Sequence, residues 1–379
     1  MFWNHRAALA VAATLLATSA CGGSNSVPPA SSAGNAMSQA IGVNPDAVDT
    51  KSILKQLRKG VIIGSTVDPT NGDTGPYSLY MAGTSLGKLK KGQFVVCNYA
   101  DSSGTAGNGT TTEILDPSPG SKPTTFVQNA KIKGCDGDAI SSGDYVYAAG
   151  QTSGVVAAFT NKGKYFKSYG VPLQAPSGDV DAANPGLYSA EYMFITDAKT
   201  GSIVSFSINN YGNPRETQVV SGFDVNNGTG WGVLGPSGIQ YSKKLDAIYV
   251  VDGVDNTLVE ITHASNLLVK DEIVVQPGGT TFKCKHPTVT CAKLIYHGAP
   301  LDGPVALTLL PNGNLIAANT IGGNRLVEIA ANGQVLATKA VDKSSIAHVF
   351  GLRAVGSTDT NTVLYFTDTK TATLDLLKR

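Results

Sequence analysis

Three observations predict an all-β chain closed into a six-bladed β-propeller of four-stranded blades. An apolar run ending in Asn, Gly or Asp recurs six times, as FVVCN, VYAAG, FITD, YVVD, LIAAN and YFTD. A turn of small residues stands upstream of each run and a second apolar run downstream. Glycine fills 43 of 379 positions and only 15% of residues are charged, against about a quarter in ordinary soluble domains. That balance favours short strands and tight turns over long, charge-laced helices.

The unit is clearest in GPSGIQYSKKLDAIYVVDGVDNTLVEI, residues 235–261. Laid against it, the other copies place Asn98, Gly150, Asp197, Asp252, Asn319 and Asp368 at one equivalent position, the end of the second strand of a blade. The turns that open the blades fall near residues 75, 134, 175, 235, 303 and 349. The downstream runs TTEI, VAAF, IVSF, LVEI, LVEI and TLDL give a third strand, with Glu113, Ala158, Ser205, Glu260, Glu328 and Asp375 in register. Further extended segments such as KDEIVVQ and GQVLATKAV supply fourth strands, which makes each unit a blade and the series a ring. The last unit ends after its third strand, so residues 60–68, GVIIGSTVD, are expected to complete blade 6 and join the termini, giving one domain over 59–379.

The N-terminus predicts export. His5 and Arg6 precede the apolar run AALAVAATLLA, and TSA then leads to Cys21, so residues 1–20 have the three regions of a signal peptide. TSACGGSNS resembles a bacterial lipoprotein lipobox, which implies lipid attachment at Cys21. Thr18 stands where that motif usually has Leu, and simple secretory cleavage is the alternative. Residues 21–58 read as a flexible tether rich in Gly, Ser, Pro and Ala, ending in a short helix. Asn44 would cap that helix, Pro45 would open it, and Val48, Ile53, Leu54 and Leu57 would form its apolar stripe.

With Cys21 lipidated, four cysteines remain in a compartment that permits disulfides. Cys284 and Cys291 lie in CKHPTVTC with Pro287 between them, which predicts a local bridge and leaves Cys97 for Cys135. A metal site on this segment, with His286 as a third ligand, lacks a fourth.

Residues 60–379 resemble the NHL-type six-bladed propellers, whose blades carry a Gly-Pro-x-Gly turn, a YVAD-like strand and an apolar third strand. The resemblance implies a fold and a binding role more than an activity. The antiparallel topology brings the opening turns and the second-strand ends to one mouth of the central channel. Asp197, Asp252 and Asp368 are expected there to accept from turn amides, and Asn98 and Asn319 are structural positions of the same repeat.

Asp136, Asp138, Asp179, Asp181, Asp302 and His348 are the remaining candidates for ligand or metal contact at that mouth. Gathered carboxylates could hold Ca²⁺; dispersed, they are a solvated rim, and no cofactor is expected. The gluconolactonase and paraoxonase group is similar in architecture and holds a mouth Ca²⁺ with Glu, Asn and Asp. Here Glu113, Glu260 and Glu328 fall on third strands, and Glu191, Glu216 and Glu272 lie outside the turns. Propeller amidating lyases place several His at the axis, where only His348 qualifies. GTSLG, residues 83–87, fits a nucleophile-elbow pattern but is followed by a turn and a strand, not by the helix the elbow needs. With 29 Lys+Arg against 28 Asp+Glu, there is no basic excess for nucleic acid.

The expectation is therefore an exported, lipid-anchored binding or scaffold propeller, facing the periplasm or exterior, that recognises a protein partner or an extracytoplasmic ligand at the channel mouth. A metal-dependent (Ca or Zn) hydrolase, lactonase or lyase at the same mouth is the alternative. Mass spectrometry of the mature N-terminus should find a diacylglyceryl group on Cys21, and Cys21→Ser should release a folded domain from membranes. An unmodified Cys21 on a freely soluble protein would show secretion without an anchor.

Overall fold

Each blade is built round a second strand that is apolar throughout because neighbouring blades cover both of its faces. Phe94–Ala100 and Ala247–Asp252 are buried at every residue, so they read as continuous apolar runs and not as alternating ones. The computed structural model describes residues 49–141, 143–170, 176–183, 192–208 and 216–379, with 176–183 as backbone. Blade 1 comprises Thr74–Met81, Phe94–Ala100, Ala106–Leu115 and Thr124–Gln128; blade 2, Cys135–Ile140, Val146–Gly150, Val155–Phe159 and Tyr165–Tyr169. Blade 3 has Pro176–Ala183, Tyr192–Asp197, Ser202–Ser207 and Glu216–Ser221; blade 4, Pro236–Ser242, Ala247–Asp252, Thr257–Thr262 and Ala292–His297. Blade 5 has Pro304–Leu309, Leu315–Asn319, Arg325–Ile329 and Val335–Ala340; blade 6, Val349–Val355, Val363–Asp368, Thr373–Lys378 and, from the other end of the chain, Lys59–Ser65. The helical segments among the described residues are short 3-10 turns.

The six second-strand positions are equivalent in the ladder. Asn98 pairs with Pro76, Gly150 with Cys135, Asp197 with Pro176, Asp252 with Pro236, Asn319 with Pro304 and Asp368 with Val349. The register slips immediately beyond each of these pairs, so every first strand bulges at the same depth. The bulge lets neighbouring first strands approach round the axis. A Cβ on Gly238 would lie 2.6 Å from Leu307 N of the next blade, and one on Gly351 only 2.4 Å from Tyr77 O, so glycine is required there. The Thr that precedes the acid bonds to the next blade: Thr196 Oγ1 donates to Ser237 O at 2.7 Å and Thr367 Oγ1 to Tyr77 O at 2.8 Å.

The third strands depart from the expected register in two blades. Ala158, Ser205, Glu260 and Glu328 oppose Tyr147, Phe194, Tyr249 and Ile316, each three residues before the second-strand position. Glu113 and Asp375 oppose Val96 and Phe366, only two before it, so they belong one residue earlier in the unit and point to the opposite face. Glu113 accordingly faces Asp68 in the segment after the closing strand. Burial, and then the Asp68 carboxyl, push Glu113 up to about 10. Against its own burial, Asp68 is held far below the usual range by hydrogen bonds from Glu113, Thr125, Thr70 and the Asn71 amide. The two carboxyls thus shift in opposite directions.

The segment KDEIVVQ is also reassigned. The chain leaves blade 4 after Thr262 and does not return until Ala292. On this excursion Ile273–Val275 pairs parallel to the outer strand of blade 3, through Val220 with Ile273 and Ser221 with Val274, and Phe282–Cys284 then pairs back on Ile273–Val275. Apolar content announces a strand but not its neighbour. The excursion covers the edge of blade 3 and buries Ile273 and Val275 between blades 3 and 4.

Closure runs through residues 59–65. Lys59 pairs with Lys378, Val61 with Leu376 and Ser65 with Thr373, so both ends of the described chain share one sheet. Upstream, the expected helix is a single 3-10 turn, Leu54–Gln56; Asn44, Pro45 and Val48 lie outside the described residues, as does Cys21. Ile53, Leu54 and Leu57 are fully buried between blades 5 and 6. Glu328 holds the turn in place. Its carboxylate accepts from Ser52 Oγ at 2.6 Å, Ile53 N at 3.1 Å, Leu54 N at 2.8 Å and Asn314 Nδ2 at 3.2 Å. A side chain thereby serves the amides that a longer helix would have served.

One hydrophobic core fills each junction between successive blades. Both expected disulfides are present: Cys97–Cys135 joins blade 1 to blade 2 with Cα atoms 5.2 Å apart, and Cys284–Cys291 closes the excursion at 5.4 Å. Glu328 is fully buried, whereas Glu260, at the same position in blade 4, pairs at 3.4 Å with Lys293, whose side chain is 64% exposed. Glu328→Ala should therefore cost roughly 3 kcal/mol, because buried amides lose their acceptor, and Glu260→Ala less than about 1 kcal/mol. Urea unfolding of both variants checks this; equal losses would show that the turn is not anchored by Glu328.

Candidate functional site

The mouth at which the first strands begin is closed by a strap. Residues 222–235 join blades 3 and 4, and Asn226 folds them on themselves: Nδ2 donates to Gly232 O at 2.8 Å, and Oδ1 accepts from Gly228 N at 2.8 Å and Leu234 N at 2.9 Å. The resulting turn, Gly230–Gly232, carries Trp231 over the axis. Its ring centroid lies 4.7 Å from Tyr99, 5.0 Å from Phe350 and 6.1 Å from Tyr77, and Tyr77 and Phe350 are 4.6 Å apart. Val305 of blade 5 completes this apolar plug. Aromatic contacts at these separations add specific geometry to the burial they provide.

Beside the plug is a recess of about 460 Å³, lined by Tyr99, Gln151, Thr152, Lys199, Thr229 and Val233 among others. A relay forms its floor. Tyr99 Oη donates to Gln151 Oε1 at 2.6 Å, and Gln151 Nε2 donates to Asp136 Oδ2 at 3.0 Å. Burial, and then the Asp136 charge, push the Tyr99 hydroxyl well above its usual range, so it stays a donor. Thr152 Oγ1 donates to Gly107 O at 2.7 Å, and the Lys199 side chain is exposed at the rim.

The expected mouth residues are not gathered in one place. Asp136 belongs to the relay. Asp138, two residues further along the same strand, lies deeper and is 1% exposed, with no hydrogen-bond partner on either oxygen. Burial pushes it up to about 7, opposed by the nearby Ser78 hydroxyl, which lacks hydrogen-bond alignment, and by the Arg353 charge. Asp302 lines a separate cavity between blades 4 and 5. His348 is buried in blade 6, its Nε2 2.8 Å from Asp342 Oδ2 and its Nδ1 3.1 Å from Asp368 Oδ1, ion-pair distances without hydrogen-bond alignment. Asp179 and Asp181 lie on the first strand of blade 3, and their side chains fall outside the described residues. Among the described residues no three His, Cys, Asp or Glu side chains are arranged to hold a metal ion.

The second-strand positions divide by residue type. Asp197 accepts from the amides of Lys199 and Thr200, Asp252 from Val254, and Asp368 from Lys370 and Thr371. Burial, and further on the charges of Asp255 and Asp224, push Asp252 up to about 7, with the Val254 amide opposing. The asparagines donate instead. Asn98 Nδ2 reaches Thr66 O and Thr111 Oγ1, and Asn319 Nδ2 reaches Pro300 O. Ser85 of GTSLG lies in a blade 1 loop and accepts from Lys91 N at 2.8 Å, without a following helix.

Sequence reasoning missed Trp231, Tyr99 and Gln151. Two signals were present: a tryptophan in a loop of Gly and Asn, and side chains that directly follow Asn98 and Gly150 at the mouth.

No protein-family model matches the chain, and no characterised sequence relative matches it. The solved structures it is similar to include a catalytically inactive virginiamycin B lyase from Staphylococcus aureus with quinupristin, at 18% identity over 82% of each chain and a TM-score of 0.48. A streptogramin B lyase is similar at 14% identity over 86% of this chain and 99% of the other, with a TM-score of 0.49. A candidate gluconolactonase is similar at 10% identity over 86% and 94%, with a TM-score of 0.48. Likenesses of this degree carry no inference about chemistry.

Asp138 gives the mouth region a pH signature. An unfolded aspartate titrates near 3.9 and the folded one near 7, so between these values the folded state binds the extra proton. Its contribution to stability is greatest below about 4, falls as pH rises through the window, and is flat above about 7. Asp138→Asn should gain on the wild type across that window by roughly 1.4 kcal/mol per pH unit. Denaturation at about pH 4, 5.5 and 7.5 reads this. A constant difference between the two proteins would show that Asp138 is solvated.

Proposed function

We propose that this chain is an exported, lipid-anchored binding propeller of the NHL type that takes a small extracytoplasmic ligand at its mouth. The observation that supports this reading is the recess beside Trp231, of about 460 Å³ and floored by the Tyr99–Gln151–Asp136 relay. Its volume lies within the range of small-molecule sites, and its lining mixes apolar walls with a few convergent polar groups. Amide, hydroxyl and ammonium groups make up the polar part of that lining, which suits a ligand with both apolar and hydrogen-bonding groups. The leader and Cys21 motif support export and anchoring, and Gly-Pro turns at 75, 235 and 303 support the NHL assignment.

A metal-dependent hydrolase or lyase at the same mouth would need ligands that the described residues do not bring together. Tight, stoichiometric Ca²⁺ or Zn²⁺ in the purified protein would favour it.

Saturation-transfer NMR with a panel of sugars, amino acids and small organic acids tests the binding reading, using the wild type and Thr229→Trp, which fills the exposed rim of the recess. Binders lost in the variant support the site. Binding that is unchanged in Thr229→Trp, or no binder at all, would overturn it.

A further inference from the structure

A second cavity, of about 560 Å³, opens on the same mouth between blades 4 and 5. Its chemistry differs from that of the first. Asp302 and Arg325 both line it, and among the described residues neither makes an ion pair within 4.0 Å. The backbone holds them in place: Ile321 N donates to Asp302 O at 3.1 Å, and Arg325 N to Gly323 O at 3.1 Å. Arg325 is exposed at the rim and Asp302 is half-buried, so each stays solvated without the other. Here a carboxylate and a guanidinium are left open on the same lining.

Asn319 supplies the second observation. It is 2% exposed and lines this cavity. Its Nδ2 donates to Pro300 O at 2.7 Å, while its Oδ1 is buried without a partner. The acids at the equivalent positions in blades 3, 4 and 6 satisfy turn amides, but this acceptor serves none. An orphaned buried acceptor is costly, and a donor brought by a ligand would satisfy it. The cavity therefore offers acceptors at Asp302 and Asn319, a forked donor at Arg325, and apolar wall at Leu301 and Ile321.

We infer that this cavity binds a small zwitterion, an α-amino acid or a short peptide, with its ammonium toward Asp302 and Asn319 and its carboxylate on Arg325. A planar guanidinium takes a carboxylate through two parallel hydrogen bonds, and an ammonium matches a carboxylate beside an amide oxygen. Leu301 and Ile321 accept an aliphatic side chain. The site is independent of the recess beside Trp231, so either can fail without the other.

Calorimetry on the purified full chain tests it with L-leucine and L-alanyl-L-leucine as the two zwitterions. N-acetyl-L-leucine lacks the ammonium and L-leucinamide the carboxylate. One zwitterion should bind saturably and the two blocked analogues at least about tenfold more weakly, since each leaves a charged partner unmatched. Arg325→Gln should erase the discrimination against leucinamide, and Asp302→Asn the discrimination against N-acetyl-leucine. Both variants should melt as the wild type does, and Thr229→Trp should bind normally. The proposal is overturned if neither zwitterion saturates by about 10 mM, if the blocked analogues bind equally well, or if both variants discriminate like the wild type.

Discussion

The pairing of Lys59–Ser65 with Thr373–Lys378 is the constraint on which the rest of the molecule depends. A propeller blade cannot bury its two faces alone, because each core is shared between neighbours. An unclosed series would leave blade 6 one strand short and the 6–1 core without Ile63, which comes from the closing strand. Contacts between residues more than 300 apart in sequence are rewarded only after nearly all intervening ones exist, since loop closure costs entropy first. The Glu328 anchor strengthens the same union from outside the sheet, by seating Ile53, Leu54 and Leu57 between blades 5 and 6.

Closure also decides where function can reside. The first strands approach closely enough to require Gly238 and Gly351, and Trp231 stops the mouth above them. The cavities at this mouth thereby lie at the rim of the ring and not in its bore. The two recesses lie on either side of the plug, one floored by a neutral relay over Asp136 and the other flanked by Asp302 and Arg325. Lys51, whose carbonyl accepts from Asn312 and Asn314 in a hairpin of blade 5, marks the opposite face as the one where the described chain begins.

Much of this was legible in the sequence, and the limits have physical causes. The second strands stand out because they are buried on both faces, and their terminal residue recurs because a paired bulge follows it in every blade. The downstream apolar runs locate the third strands but not their register to one residue, and a residue one position away lies on the opposite face; Glu113 and Asp375 show this. KDEIVVQ was recognisable as a strand, yet pairing partners are a tertiary property, and it joins blade 3. Asp302 lines a cavity between blades 4 and 5, while depth along a strand is invisible to a repeat alignment, so Asp136 and Asp138 separate into different surroundings. Trp231 meets Tyr77, Tyr99 and Phe350 from remote parts of the chain, and no local pattern announces that meeting.

The junctions between blades are not equivalent. A disulfide crosses 1–2, the excursion that ends at Cys284–Cys291 crosses 3–4, the N-terminal turn wedges 5–6, and Ile63 O of the closing strand accepts from Gly120 N and Ser121 N of blade 1 across 6–1, while among the described residues 4–5 has neither a disulfide nor an inserted segment. The 4–5 junction is therefore held by its apolar core and by hydrogen bonds such as that from Gly303 N to Asn256 Oδ1. Local opening favours the least reinforced contacts, and the cavity lined by Asp302 and Arg325 sits at that junction. A ligand bridging blades 4 and 5 would act there as the missing rivet, so occupancy would register as a change in the stiffness of the whole ring.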